Sequence, residues 1–156
     1  MDTHIYKIEE ILKEKGVFVG PTVGYSMYPM LKDCRDTIIV RPKTERLKRL
    51  DVALYIVNGK YVLHRVIEPV DGGYCIRGDN CYADEFVPED VVFGVLTEFY
   101  RKNKHILCTD KKYLRYAEKI VTNYPQRKAR YLRKIKARNR LKKFLQFLGF
   151  RKNKKS

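Results

Sequence analysis

The dipeptide Asn58-Gly59 constrains the fold of this chain more than any other pair of residues. It stands between residues 52–57 and 60–67, two runs rich in Val, Leu, Ile and Tyr. Both central residues of a two-residue type I′ turn need φ > 0, which Asn and Gly adopt most readily. A hairpin is therefore predicted, and its turn sets the register: Val57 pairs with Lys60, and His64 falls opposite Ala53. Because strand side chains alternate between faces, Val62, His64 and Val66 share one face, and Tyr61, Leu63, Arg65 and Ile67 the other. His64 then lies between two valines with only an alanine opposite. Burial there disfavours the charged ring, so it is neutral at pH 7, the state required of a general base.

The remaining elements fit around this hairpin. Residues 3–15 carry Ile5, Ile8, Ile11 and Leu12 at helical spacing, with charges on the other side, and Gly16 ends the helix. Residues 17–23 lead into a bend, residues 37–41 are β-branched enough for a strand, and 42–49 form a basic loop. Asp71-Gly72-Gly73 turns the chain into a return strand at 74–77. The stretch Gly78-Asp79-Asn80-Cys81-Tyr82-Ala83-Asp84-Glu85 has the composition of a loop, and residues 86–100 are expected to supply a closing strand. The fold is expected to be mainly β with one helix at the front.

Charge divides the chain in two. Residues 1–100 hold 13 Lys+Arg against 16 Asp+Glu, whereas residues 101–156 hold 21 against 2. A globular body over 1–100 and a basic helical tail over 101–156 are the expected domains. The tail is expected to be helical over 111–123, to break at Pro125 and to resume over 126–148. Its end sets Leu141, Phe144, Leu145, Phe147, Leu148 and Phe150 among Lys142, Lys143, Arg151 and Lys152. A basic segment with a large apolar face can lie in a membrane interface and is attracted to anionic lipid. Two other readings stay open. The bases and interleaved Tyr113, Tyr116, Tyr124 and Tyr131 suit nucleic acid, though no known reader motif is present, or the tail packs on the body and solvates the rest.

No run of about 18 apolar residues exists to span a bilayer, and the first ten residues lack the basic-then-apolar pattern of a secretory signal. A cytoplasmic protein, peripheral on the inner face of the membrane if the tail binds lipid, is the expectation. The cysteines Cys34, Cys75, Cys81 and Cys108 show no CxxC spacing and no histidine placed to complete a zinc site, so free thiols and no metal or cofactor are expected.

The remaining feature is the bend over residues 24–31, Gly-Tyr-Ser-Met-Tyr-Pro-Met-Leu. Gly24 permits φ > 0, and Pro29 fixes its own φ while disfavouring helix at Tyr28. Ser26 thus sits on a stiff, non-helical turn. A serine on a polar turn is common. Here, however, the chain also holds a neutral histidine in a strand and three carboxylates in a loop beyond the strand that pairs with it.

Together these segments resemble the signal peptidase superfamily of serine peptidases, which also contains the self-cleaving phage and SOS repressors. The resemblance is to the serine–histidine branch typified by endoplasmic-reticulum and archaeal signal peptidases. It rests on G-x-S-M-x-P-x-L at Gly24, Ser26, Met27, Pro29 and Leu31, and on the Asp51, Val52, Tyr55 strand. His64-Arg65-Val66-Ile67 and Gly78-Asp79-Asn80 with its following acids complete the pattern. The resemblance implies a compact signal-peptidase-like or SOS-repressor-like β-rich peptidase domain. Ser26 would be the nucleophile and His64 the base, with a peptide or protein as substrate, cleaved in a leader or signal-like segment. Asp84 or Glu85, ahead of Asp79, would orient the histidine. The loop of Gly24, Tyr25, Met27 and Pro29 would shape the oxyanion site, with the Ser26 amide first among its donors. Many relatives have a serine and a glycine where this chain has Gly24 and Tyr25. The implied alternative is a non-catalytic or regulatory member of the fold whose tail holds nucleic acid.

Overall fold

The computed structural model describes residues 7–148. By its internal contacts the chain forms two units that part between Val121 and Thr122. The first is mainly β, built on one antiparallel sheet. Helix α1 (Ile8–Lys15) precedes β1 (Phe18–Pro21) and β2 (Asp36–Pro42). The hairpin is β3 (Val52–Val57) and β4 (Lys60–Val70), followed by β5 (Gly73–Arg77) and β6 (Glu85–Pro88). A 3₁₀ turn (Glu89–Val91) leads to β7 (Val92–Arg101) and β8 (Lys104–Leu107), and α2 (Lys111–Thr122) closes the unit. The second unit contains α3 (Tyr124–Phe147), with Pro125 in its first turn, where a missing N–H costs nothing.

The strands lie in the order β1-β2-β7-β3-β4-β5-β6, with β8 also on β7. The hairpin has the register expected of it: Val57 faces Lys60 and Ala53 faces His64, with positive φ at Asn58 (50°) and Gly59 (73°). Strand β3 is buried on both faces, so its alternation feeds two cores. Val52 and Leu54 join Leu12, Ile38, Val40, Leu96 and Phe99 in one. Ala53 and Tyr55 join Leu47, Val66, Tyr74, Ile76, Val87 and Val92 in the other.

Three expectations change. The closing strand over 86–100 is two strands, because Glu89–Val91 takes the 3₁₀ turn between β6, which pairs with β5, and β7, which enters the middle of the sheet. The front helix, expected over 3–15, starts at Ile8 because Lys7 is extended as its N-cap, and residues 3–6 lie outside the described residues. The body does not end with the charge change near residue 100. β8 pairs with β7, and Tyr113 and Ala117 of α2 are buried in the first core. A charge count misses this because the outer face of α2 is basic while its inner face is core.

The centre of the first unit holds a buried ion pair. Arg65 Nε and Nη2 donate to Asp79 Oδ1 and Oδ2 at 2.7 and 2.8 Å. Arg65 Nη1 donates to Leu50 O (2.9 Å) and Tyr113 Oη (3.0 Å). Tyr116 Oη donates to Asp79 Oδ2 at 3.1 Å. Both charged side chains are essentially without solvent exposure. Removing one partner leaves the other as an uncompensated buried charge, so Asp79→Ala is expected to lower the unfolding free energy by about 3–5 kcal/mol. Chemical denaturation measures it, and a loss below 1 kcal/mol contradicts the burial of the pair.

Candidate active site

The bend over residues 24–31 is anchored by its apolar members. Met27, Met30 and Leu31 are buried in the first core, while Tyr25 and Tyr28 are exposed. Gly24 takes φ +90° and its N–H donates to Asp33 Oδ1 at 2.7 Å. The Tyr28–Pro29 peptide is cis. Behind the bend, Thr22 Oγ1 donates to Lys32 O (2.9 Å) and Asp36 Oδ2 receives the Lys32 N–H (2.9 Å). In front, the Asn80 N–H donates to Ser26 O at 2.7 Å and Asn80 Nδ2 to Tyr25 O at 3.2 Å. Ser26 is thus held by its main chain on both sides and remains half-exposed. Its own N–H meets no acceptor among the described residues.

His64 is buried. Its Nδ1 lies 3.0 Å from Tyr55 Oη, and that hydroxyl donates to Glu85 Oε2 at 3.3 Å. A carboxylate only accepts, so the single hydroxyl proton of Tyr55 goes to Glu85 and the oxygen accepts from Nδ1–H. The neutral ring then carries its lone pair on Nε2. Burial keeps Tyr55 protonated by raising its pKa far above the ordinary range, and the Glu85 charge adds to this. Burial likewise lowers the His64 pKa below its ordinary 6.5, while the charges of Glu85 and Asp79 pull it the other way.

Nε2 points towards the serine bend. A Cβ placed on Gly78 would lie 2.7 Å from Ser26 O, 2.8 Å from Cys81 Sγ and 3.0 Å from His64 Nε2. One methyl group would therefore span the gap between the Ser26 main chain and the histidine, which is why residue 78 must be glycine. Ser26 and His64 line a common cleft of about 700 Å³ whose walls include Phe18, Val23, Leu54, Tyr61 and Leu63. No hydrogen bond joins the Ser26 hydroxyl to His64 in this structure. A serine hydroxyl moves by rotation about one bond, and such contacts commonly tighten only once substrate is bound.

The three loop carboxylates separate. Glu85 is the one beside His64, 4.0 Å from Nδ1 and linked to it through the Tyr55 hydroxyl. Asp84 is held by Arg77 Nη1 at 2.6 Å. Asp79 is held by Arg65 and Tyr116, and only its charge is felt at the ring. Met27 is a core anchor rather than part of the cleft's polar equipment, although its edge reaches the cleft wall. Tyr55 was not among the expected site residues. The signal for it lay in the hairpin: Tyr55 pairs with Val62, two residues before His64 on the same face, and diagonal neighbours of that kind are within reach of an aromatic side chain.

Among the described residues, no group of three or more His, Cys, Asp or Glu side chains is placed to hold a metal ion. The four cysteines are free. No protein-family model matches the chain, and no curated protein matches it.

The site predicts its own titration. His64 is expected to titrate below 6.5 in an NMR experiment on the three imidazoles, and Glu85→Gln, by removing a charge that favours the protonated ring, to lower it further. Because protonation is penalised in the fold, the stability His64 contributes is complete above about pH 6.5 and is lost as the pH falls through its lower folded value. A midpoint at or above 6.5 contradicts the buried, neutral ring.

Proposed function

We propose that the protein is a serine endopeptidase of the serine–histidine type, with Ser26 as nucleophile and His64 as general base. The observation that carries this reading is the orientation of His64. The Tyr55 hydroxyl, itself bonded to Glu85, occupies Nδ1, so the basic nitrogen Nε2 is left on the side of Gly78, which alone separates it from the Ser26 main chain.

The chemistry follows from these positions. His64 Nε2 takes the Ser26 hydroxyl proton as Oγ attacks the scissile carbonyl. The imidazolium that forms is stabilised by Glu85 through Tyr55, and its proton passes to the leaving amine, giving an acyl-enzyme. The free Ser26 amide is the first donor for the oxyanion. Water, activated by the same Nε2, then releases the acyl group. Glu85 is about half-exposed, so its direct attraction to the ring is weakened by solvent. The Tyr55 hydroxyl is the more important orienting contact.

The cleft supports a peptide substrate in extended form. It is walled by β1 with the residues after it and by residues 60–64 of β4. β1 is an edge of the sheet, and residues 60–64 lie beyond the point where β5 pairing stops at Arg65. Unpaired strand edges are templates for an added strand. The apolar walls suit the apolar residues of a leader or signal-like segment, and the expected compartment is the cytoplasm.

An active-site-directed fluorophosphonate is expected to label the wild type and fail on Ser26→Ala and His64→Ala. Equal labelling of Ser26→Ala overturns Ser26 as nucleophile. Tyr55→Phe is expected to keep the fold and lower kcat about 10- to 100-fold, less than the roughly 10²- to 10⁴-fold loss for His64→Ala. Activity is expected to rise with pH through a midpoint below 6.5, in line with the lowered His64 pKa. Unchanged kcat in Tyr55→Phe excludes the hydroxyl from orienting the base.

A further inference from the structure

We propose that the last two turns of α3 dock on an anionic membrane surface. The inference stands apart from the peptidase reading, since it concerns only the second unit.

Helix α3 contains ten Lys and Arg and no Asp or Glu, and none of its residues is buried. Its apolar residues do not form one continuous face. In the first half Tyr131 and Ile135 follow Tyr124 at helical spacing. In the second, Leu141, Phe144 and Leu145, continued by Leu148, recur at i, i+3, i+4 and i+7, roughly a third of a turn away round the axis. This second stripe is open to solvent. Leu141 is 57 % exposed, Phe144 56 %, Leu145 39 % and Leu148 49 %, and Phe147 beside them 86 %. Arg138 and Lys142 flank the stripe on one side and Arg140 on the other, while Lys143 lies behind it. The expected contact Phe150 lies outside the described residues.

Charge and hydrophobicity together select the occupant. A second copy of the helix would bring ten more bases against the first ten, which repel. Nucleic acid would satisfy the bases through its phosphates but leave the leucines and phenylalanine in water. A bilayer interface takes both: the stripe enters the acyl boundary, and the flanking Lys and Arg stems lie along the apolar surface with their charges at lipid phosphates. Among the described residues no helix is long and apolar enough to cross a membrane, so the contact is with the surface.

The test is flotation of the full-length protein with vesicles of phosphatidylglycerol and phosphatidylcholine, and with phosphatidylcholine alone. Wild type is expected to float with the anionic vesicles, to float much less with the neutral ones, and to be released by raised salt. Leu141→Gln with Phe144→Gln keeps good helix formers in place and is expected to reduce the bound fraction about tenfold. Circular dichroism checks that the variant keeps its helix. Equal flotation of the variant shows attraction by the bases alone and overturns the stripe as the contact. Equal flotation with both vesicle types overturns the anionic preference. No flotation, together with a salt-dependent gel shift on duplex nucleic acid, overturns the proposal in favour of that partner.

Discussion

The placement of the candidate site depends on the paired charges of Arg65 and Asp79. Arg65 follows His64 on β4, and Asp79 follows Gly78 beyond β5. The bidentate contact between them therefore sets the separation of the two residues that flank the gap to Ser26. Around the pair, Arg65 also donates to Met30 Sδ at 3.1 Å, in the serine bend, and to the Tyr113 hydroxyl of α2. One guanidinium thus ties a strand, a loop, a helix and the bend together. A buried ion pair is a costly source of stability, since well-packed apolar residues often do as well. What the planar, five-donor guanidinium supplies is direction, which apolar packing does not.

That division of labour explains where the acids went. Three carboxylates within a few residues look interchangeable on paper, but each faces a different base. Asp79 neutralises Arg65 in the interior, exposed Asp84 pairs with the buried Arg77, and Glu85 opens β6 at the level of Tyr55 and His64. Only Glu85 combines a position beside the imidazole with a hydroxyl relay. The relay also settles which ring nitrogen carries the proton. A direct carboxylate contact would do the same with more charge, whereas here the charge is held one group away and partly in water. The proposed base is accordingly governed more by burial than by its acid, in agreement with the direction of its pKa shift.

Much of this was legible in the sequence because period-two alternation propagates from a single turn. Asn58-Gly59 fixed the partner of every residue in β3 and β4, and with it the apolar company of His64. The same register contained Tyr55, whose diagonal reach to His64 follows from counting two pairs towards the turn. The break at Glu89–Val91 was harder, because an apolar run continues on both sides and only the tertiary choice of partner, β5 or β3 and β2, divides it. The extent of the body was hidden for a different reason. The bases of α2 dominate any charge count, while the residues packed in or against the core are Tyr113, Tyr116 and Ala117, which carry no charge. The arginine that Asp79 needs is fourteen residues away and adjacent to the histidine, and nothing local distinguishes it from a surface arginine.

The bend that carries Ser26 is fixed through its main chain, since Gly24 has no side chain and that of Tyr25 is exposed. Gly24 takes a positive φ and gives its N–H to Asp33, and Tyr25 turns its side chain to solvent while its carbonyl accepts from the Tyr28 N–H and from Asn80. With Asn80 also holding Ser26 O, the bend is fixed by main-chain contacts on either side of the serine. Two places before Ser26, Gly24 offers no side-chain hydroxyl as a second oxyanion donor. On the proposed chemistry, the acceptor-free Ser26 amide carries that charge first, so the rigidity imposed by Asn80 and Asp33 becomes the means by which one donor is kept on target. A bend with fewer donors has more need of a fixed direction, and the loop after Gly78 provides it.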